Sequence, residues 1–139
     1  MGIRVRSWAV MAALGVLAAS SAQAADNNAA KGAEKLAKLL EGRTAGAPVD
    51  CIETRKIITT EIFTGTAIVY RLRGSQTLYV NTPTVGAETL SSSIQLQTQG
   101  SPTLCAQAPL LGMDNGGRGA GPSFNGGVTL GTFIPYDKP

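Results

Sequence analysis

The chain has 139 residues, with 12 Lys and Arg against 9 Asp and Glu, two Cys, one Trp and no His. A length below about 150 residues is typical of a single domain. Because imidazole is absent, the sequence excludes Ser-His and Cys-His hydrolases and His-ligated zinc sites, which leaves carboxylate, Tyr, Lys or Cys chemistry.

Residues 1–24 have the three-part pattern of a secretory signal peptide. Arg4 and Arg6 form a basic start, residues 8–19 are an uncharged apolar run, and Ala22-Gln23-Ala24 matches the small-x-small cleavage pattern. The apolar run is shorter than the roughly 20 residues that a membrane-spanning helix needs. We therefore predict a cleaved leader and a periplasmic or secreted product with no membrane span, rather than an anchored protein.

Cleavage would leave residues 25–139 as one domain and would change the charge balance. Two arginines and Trp8 are lost with the leader, so the formal net charge falls from +3 to +1. The basic excess that would favour nucleic acid or an anionic membrane as partner is then almost gone. We therefore expect no nucleic-acid partner.

Cys51 and Cys105 are the two cysteines of the mature chain, so they allow one pairing. An even count in an exported protein favours a disulfide. Closing a loop of about 55 residues stabilises the fold by roughly 4 kcal/mol in the chain-entropy model. The alternative, a reactive thiol, lacks a Cys-x-x-Cys motif and a His that would lower the thiol pKa.

Residues 27–42 predict an amphipathic helix. Glu34 and Lys38 have the spacing of a favourable i, i+4 ion pair. A basic amphipathic helix can lie on a membrane, but here the apolar stripe is narrow and lacks aromatic residues, so packing on a sheet is favoured. The predicted apolar face consists of Ala33, Leu36, Ala37 and Leu40.

From Asp50 onward the pattern is typical of strands. The alternating runs 66–72 and 76–81 are separated by Arg73-Gly74-Ser75, a turn of hairpin length, so we expect them to pair. Tyr70 and Tyr79 would face each other across this hairpin, either as a binding patch or as cross-strand packing. Between residues 50 and 100 the predicted strands are 56–63, 66–72, 76–81 and 93–98, with a helical turn at 87–90.

The last third of the chain predicts two short strands and one long loop. A strand around Leu104-Cys105 would be joined by its cysteine to the start of the first strand, and a strand over 128–133 would end before Pro135. The Gly-rich segment 112–127 lacks the spacing of a phosphate-binding loop. We interpret it as a mobile connection without regular structure, in preference to a ligand loop.

Paired carboxylates are the main catalytic option that remains. Asp50 and Glu53 are the closest acids near Cys51, but their spacing in an extended chain places them on opposite faces. Asp114-Asn115-Gly116 is too short for a calcium loop. We predict no catalytic residue, no metal site and no cofactor; Glu53, Glu61 and Asp114 are the acids on which a hydrolase would depend.

Several short motifs are ordered along the mature chain. They are Gly42-Arg43, Gly46-x-Pro48-Val49-Asp50-Cys51-Ile52, Gly65-Thr66-Ala67-Ile68-Val69-Tyr70, Leu78-Tyr79-Val80-Asn81, Leu104-Cys105 and Leu130-Gly131-x-Phe133-x-Pro135-Tyr136. Together they resemble a family of small exported proteobacterial proteins of unknown function, over residues 35–138. The resemblance implies a periplasmic, disulfide-containing protein and no activity, and the long Gly-rich segment departs from it.

The sequence thus predicts an α+β domain in which one N-terminal helix packs on an antiparallel sheet, or partly open barrel, of five to six strands. We expect an exported periplasmic or envelope protein that is a non-enzymatic binding or interaction module. Its partner would be a macromolecule or small ligand of the cell envelope. The alternatives are a small hydrolase that uses carboxylates and Tyr on an envelope substrate, and a structural protein that self-associates.

Overall fold

The computed structural model of the chain describes residues 20–114 and 123–139. In that part the chain forms one α-helix and ten strands, with single 3₁₀ turns at Thr54–Lys56 and Ala87–Thr89. The elements are α1 (Ser20–Leu40), β1 (Thr44–Ala45), β2 (Cys51–Glu53), β3 (Ile57–Phe63), β4 (Ala67–Leu72), β5 (Leu78–Asn81), β6 (Ile94–Gln97), β7 (Thr103–Cys105), β8 (Pro109–Asp114), β9 (Ser123–Thr129) and β10 (Phe133–Asp137).

The strands form three antiparallel sheets. The large sheet has the order β1-β10-β5-β4-β3, a second sheet has the order β6-β8-β9, and β2 pairs with β7. Over the described residues these sheets do not close into a barrel, and α1 packs on the large sheet. The predicted α+β class, with one helix on an antiparallel five-stranded sheet, is confirmed.

The predicted hairpin between β4 and β5 is also confirmed. Tyr70 lies directly opposite Tyr79, and Gly74 in the connecting turn has a φ of 76°, a conformation that favours glycine. The side chains of β4 alternate as predicted, and both of its faces are buried. β4 is therefore the central strand of the molecule, with a hydrophobic cluster on each side of it.

We call these two groups the inner cluster and the helix-side cluster. The inner cluster lies between the large sheet and the two smaller sheets, whereas the helix-side cluster packs against leucines of α1 and Tyr136. The inner cluster contains Ile52, Ile68, Tyr70, Leu72, Leu90, Leu104, Leu110, Val128, Leu130 and Phe133. The helix-side cluster contains Phe63, Ala67, Val69, Leu78 and Val80.

The helix packs through part of the predicted face: Leu36 and Leu40 contact the helix-side cluster, together with Leu39. Ala33 and Ala37 are exposed, whereas Gly32 is buried. A Cβ atom on Gly32 would lie 2.2 Å from the Thr64 carbonyl oxygen, so the missing side chain permits a close approach of helix to sheet. The predicted ion pair is present, with 3.1 Å between Lys38 Nζ and Glu34 Oε1.

The helix also begins before the predicted start at residue 27, because the segment from Ser20 is rich in Ala, the strongest helix former. Residues 1–19 of the predicted leader (1–24) and the tip of the Gly-rich segment, residues 115–122, lie outside the described residues. Within the described ranges, no helix has the length and apolar character needed to cross a membrane.

The predicted strand over 128–133 is wrong. β9 ends at Thr129 and β10 begins at Phe133, because the chain leaves one sheet and enters another between them. The buried Asn81 amide stabilises this crossing: its Nδ2 donates to the Gly131 carbonyl at 2.8 Å, and the Gly131 N–H donates to Asn81 Oδ1 at 3.0 Å. These two hydrogen bonds replace the strand partner that Gly131 lacks.

Pro135 does not end the last strand as expected but lies inside β10, opposite Tyr79. Its carbonyl oxygen accepts a hydrogen bond from the Gly46 N–H at 2.7 Å, just beyond the two-residue strand β1. The N–H that proline lacks therefore faces a short edge strand, where one missing hydrogen bond costs least.

The Gly-rich segment contains more regular structure than predicted. β8 extends to Asp114 and β9 begins at Ser123, so residues 112–114 and 123–127 belong to a paired hairpin rather than to a loop. The pairing of Leu110 with Val128 and of Met113 with Phe124 brings backbone hydrogen bonds that offset the low strand preference of glycine.

Candidate functional site

One cleft on the helix side of the large sheet collects positively charged side chains. It has a volume of about 320 Å³ and lies at the end of the sheet where the β4–β5 turn, the start of β1 and the end of β10 meet. Its lining includes three cations and no carboxylate. We call it the basic cleft, and its lining residues are Arg43, Ile58, Arg71, Ser75, Gln76, Thr77, Leu78 and Lys138.

Strand register brings the cations together from distant parts of the sequence. Arg71 lies opposite Leu78, and Leu78 lies opposite Tyr136, so the three residues form one row across β4, β5 and β10. Lys138 is two residues beyond Tyr136 and continues the same face of the extended chain. The row therefore places Arg71 and Lys138 on the two sides of one depression.

Arg43 enters the cleft from the segment that follows α1. Its backbone N–H donates to the Leu40 carbonyl at 3.1 Å, which closes the last turn of the helix. Its side-chain Nη1 donates to the carbonyl oxygens of Gln76 at 2.8 Å and Tyr136 at 3.3 Å. Backbone carbonyls thus position the half-buried guanidinium without neutralising its charge.

The three cations differ in their acidic neighbours. Arg71 Nη2 lies 3.9 Å from Glu61 Oε2 in a solvent-exposed pair of a type that contributes about 1 kcal/mol or less. Among the residues that the structure describes, Arg43 and Lys138 form no ion pair with a carboxylate. The charges of Arg43 and Lys138 are therefore available to a ligand.

Asp137 is the acid next to Lys138 in the chain, but it belongs to the other side of the strand. It alternates with Tyr136, so its side chain leaves the opposite face of β10, where its Oδ1 accepts a hydrogen bond from the Thr77 hydroxyl. Asp137 therefore does not line the cleft itself, although Thr77, its hydrogen-bond partner, does.

A β-bulge places an apolar side chain at the rim of the basic cleft. The register between β3 and β4 shifts between Ile57 and Thr59, and the intervening Ile58 is 58% exposed. Bulges of this kind re-aim a side chain and are common beside binding sites. The cleft thus combines a cationic interior with one exposed aliphatic group.

Tyr70 and Tyr79, the predicted binding pair, face each other but lie away from this cleft. Tyr70 is only 3% exposed, and its ring packs edge-to-face on Phe133 with 5.7 Å between centroids. Burial raises the pKa of the Tyr70 phenol. Tyr79 is half-buried against the inner cluster. The packing alternative accounts for both side chains.

Cys51 and Cys105 form the predicted disulfide. They lie directly opposite each other in the β2–β7 pair, and their Cα atoms are 4.0 Å apart. The bond therefore joins the two strands of the smallest sheet and encloses β3 to β6 in one loop.

The acids on which a hydrolase would depend are on three separate strands. Glu53 accepts hydrogen bonds from Lys56 Nζ at 2.8 Å and Arg55 Nε at 3.2 Å, and these two contacts hold the pKa of its carboxyl below the usual value. Asp114 ends β8, and Glu61 lies on β3. The described residues include no group of three or more acids or cysteines placed to hold a metal ion.

Sequence reasoning missed the basic cleft. Arg43 appeared only as part of a short motif, and Arg71 only as one member of an alternating strand. One signal was present: Arg71 shares a strand face with Ala67 and Val69, which are apolar and buried. A charged residue that follows buried apolar residues on one strand face indicates that the packing of the helix on that face ends there.

Comparison with known proteins identifies no relative from which a role could be transferred. The chain matches no protein-family model, no curated protein and no solved structure. Any assignment of function therefore depends on the geometry and chemistry of the site itself.

Proposed function

We propose that this protein is an exported periplasmic or envelope protein that acts as a non-enzymatic binding module, and that it binds an anionic partner in the basic cleft. The leader pattern in residues 1–24 and the Cys51–Cys105 disulfide support export.

The single observation that carries the binding proposal is the convergence of three cations on a depression that no carboxylate lines. Like charges that share a cleft repel one another, and an anion bound between them would relieve that repulsion. The low-dielectric walls of a cleft also concentrate the field and attract counter-ions. Of the three cations only Arg71 has an acidic neighbour, Glu61, at 3.9 Å.

The environment of the ionisable groups supports binding in preference to catalysis. Glu53 is kept ionised by two basic neighbours, and an acid held in that state is a poor proton donor. Tyr70 is buried and contacts Phe133, so a substrate cannot reach its hydroxyl without opening the core. These groups therefore contribute to structure.

The binding proposal is tested with small anions as probes. Inorganic phosphate, methyl phosphate and acetate are titrated into the mature protein while backbone amide chemical shifts are recorded, with glucose as a neutral probe. We expect anion-dependent shifts confined to residues 43, 58, 71–78 and 136–138, and weaker binding in added salt because charge interactions are screened.

The matched variants are Lys138→Gln and Arg73→Gln. Lys138 lines the cleft, whereas Arg73 lies on the adjacent β4–β5 turn but outside the lining. Lys138→Gln should weaken anion binding about three- to fivefold, because exposed charge contacts contribute up to about 1 kcal/mol. Arg73→Gln should leave it unchanged. Shifts that are absent, spread over the surface, or equally sensitive to both variants would overturn the proposal.

Export is tested separately by expressing the full chain in a Gram-negative host and measuring the intact mass of the periplasmic product. The expected mass is that of a chain that starts at Ala25 less two protons for the disulfide. A retained leader would overturn the export proposal.

A further inference from the structure

Four features of the basic cleft indicate which class of anion it binds. The inference below rests on the proposed function, since it names what the same site binds. The features are the net charge of the cleft, the geometry of its donors, its size and the exposed aliphatic residue at its rim.

Charge is the first feature. The three cations of the cleft together with Glu61, which contacts Arg71, carry a formal charge of +2. A phosphate monoester carries about −1.5 to −2 at neutral pH, so it neutralises this group of side chains. A single carboxylate would leave about one positive charge uncompensated.

Donor geometry is the second feature. Arg43 uses Nη1 on two backbone carbonyls, so its guanidinium is held in place with its remaining N–H groups free to donate. Arg71 is a second planar donor, and Lys138 is a point charge with three donors. Two guanidinium groups and an ammonium around one depression suit the several acceptor oxygens of a phosphate.

The third feature is the rim. Ile58 is held out of the strand register by the β3 bulge and is 58% exposed beside the cationic interior. A single exposed isoleucine is common on protein surfaces. Here, however, Ile58 is part of the lining of the basic cleft, so a ligand bound through phosphate would have its substituent close to this side chain.

The volume limits the size of the ligand. At about 320 Å³ the basic cleft is at the lower end of the range of about 300–1,000 Å³ that is typical of small-molecule sites. It accommodates a phosphate and a short part of a substituent, and any longer chain must extend past Ile58 into solvent or into a membrane surface.

We propose that the basic cleft binds a phosphate monoester that carries an aliphatic substituent, with Arg43, Arg71 and Lys138 on the phosphate and Ile58 on the first carbons of the substituent. Such a group occurs both on soluble alkyl phosphates and on the headgroups of anionic lipids. The two sources share the chemistry that the cleft recognises, and the experiment separates them.

The experiment is a chain-length series measured by isothermal titration calorimetry on the mature, disulfide-bonded protein. The probes are methyl, butyl and hexyl phosphate at concentrations below micelle formation, with hexyl sulfate, which carries one negative charge, as a charge control. We expect affinity to rise by up to about fourfold for each of the first methylene groups that are buried, and then to level off. Hexyl sulfate should bind more weakly than hexyl phosphate.

Three variants show which residues cause the dependence on chain length and on phosphate: a matched pair at Ile58 and Val85, and one at Arg43. Ile58→Thr keeps the β-branched shape but removes aliphatic surface, so the gain from butyl over methyl phosphate should largely disappear while methyl phosphate binding is unchanged. Val85→Thr makes the same change at a side chain that is 65% exposed but lies outside the cleft, and it should have no effect. Arg43→Lys, which keeps the charge but loses the planar donors, should weaken all the phosphates.

The outcomes separate this inference from the proposed function. If methyl phosphate binds at the cleft but affinity does not depend on chain length, or if Ile58→Thr keeps the dependence, the ligand class is overturned and the anion site stands. If no phosphate binds, both are overturned. Binding of vesicles that contain phosphatidic acid, absent with neutral vesicles and reduced by Lys138→Gln, would identify a lipid headgroup as the source. Binding of hexyl phosphate alone would identify a soluble ligand.

Discussion

The two faces of the large sheet are covered to very different extents. On one face, ten buried residues of the inner cluster are enclosed by the smaller sheets and the disulfide. On the other, five buried residues are covered by α1, whose leucines are only partly buried. The covered part ends near Leu40, and the uncovered part beyond it contains the basic cleft.

The difference separates a face that is enclosed on all sides from a face whose open end carries charged side chains. An enclosed face removes apolar surface from water and contributes most of the hydrophobic stabilisation. A face that one helix covers incompletely leaves room for charged side chains at its open end. Substitutions should therefore lower the free energy of unfolding more on the inner face than around the cleft. The expected effects on this contrast are given from the largest to the smallest.

Phe133→Ala should have the largest effect. Phe133 is completely buried, contacts Tyr70 and lies where β10 joins the large sheet, so its truncation should lower the free energy of unfolding by about 3–5 kcal/mol. Leu39→Ala, on the partly buried helix face, is the comparison and should cost about 1–2 kcal/mol. Urea unfolding measures both, and equal costs would contradict the contrast between the faces.

Loss of the disulfide should rank next. The double variant Cys51→Ser with Cys105→Ser releases a loop of about 55 residues, which costs up to roughly 4 kcal/mol and more typically 2–4 kcal/mol. The measurement is the urea midpoint of the variant against the oxidised protein. Reduction of the wild-type protein should give a similar loss, and a midpoint that does not move would show that the β2–β7 pair is held by packing alone.

Asn81→Ala should cost about 2–3 kcal/mol, because it leaves the buried N–H and carbonyl of Gly131 without partners. Thr82→Ala, at the exposed neighbouring position, should change stability by less than about 0.5 kcal/mol. Thermal unfolding of the two variants gives the comparison. A small cost at Asn81 would mean that water or another group satisfies Gly131.

Gly32→Ala tests how closely α1 approaches the sheet. In an exposed helix this change stabilises by about 1 kcal/mol, but here the new Cβ would meet the Thr64 carbonyl oxygen, a backbone atom that cannot rotate away. We expect the steric effect to win, with a net loss of about 1–2 kcal/mol in urea unfolding. Ala33→Gly, at the exposed neighbour, should lose about 1 kcal/mol from propensity alone, and a gain in Gly32→Ala would show that the helix can move outward.

Lys38→Gln should have the smallest effect, about 0.3–0.5 kcal/mol, since it removes one exposed i, i+4 pair with Glu34 while helix propensity hardly changes. The difference from wild type in thermal unfolding should vanish in about 1 M salt, where exposed charges are screened. A loss that persists in high salt would have another origin.

Local patterns predicted the features that depend on neighbouring residues. The alternation in 66–72, the glycine at position 74 and the even cysteine count each specify a structure by themselves, and the hairpin and the disulfide are present as expected. Spacing in the sequence separated Asp50 from Glu53, whereas the placement of Glu53, Glu61 and Asp114 on three different strands required the structure.

Features that depend on distant residues were wrong or were missed. Pro135 is tolerated in an interior strand only because its missing N–H faces the short strand β1, a fact that no local pattern contains. Gly32, rather than Ala33, faces the sheet because the turn after β3 approaches it. Arg43, Arg71 and Lys138 meet through the pairing of three strands, so their proximity requires the register of the whole sheet.

The position of β10 has a consequence for when the protein can fold. The last strand of the chain lies in the interior of the large sheet, between β1 near the helix and β5 in the middle of the chain. Until that strand is available, β1 has no partner in the sheet and β5 keeps an open edge. Such non-local pairing is slow to form, so the large sheet is completed late in folding.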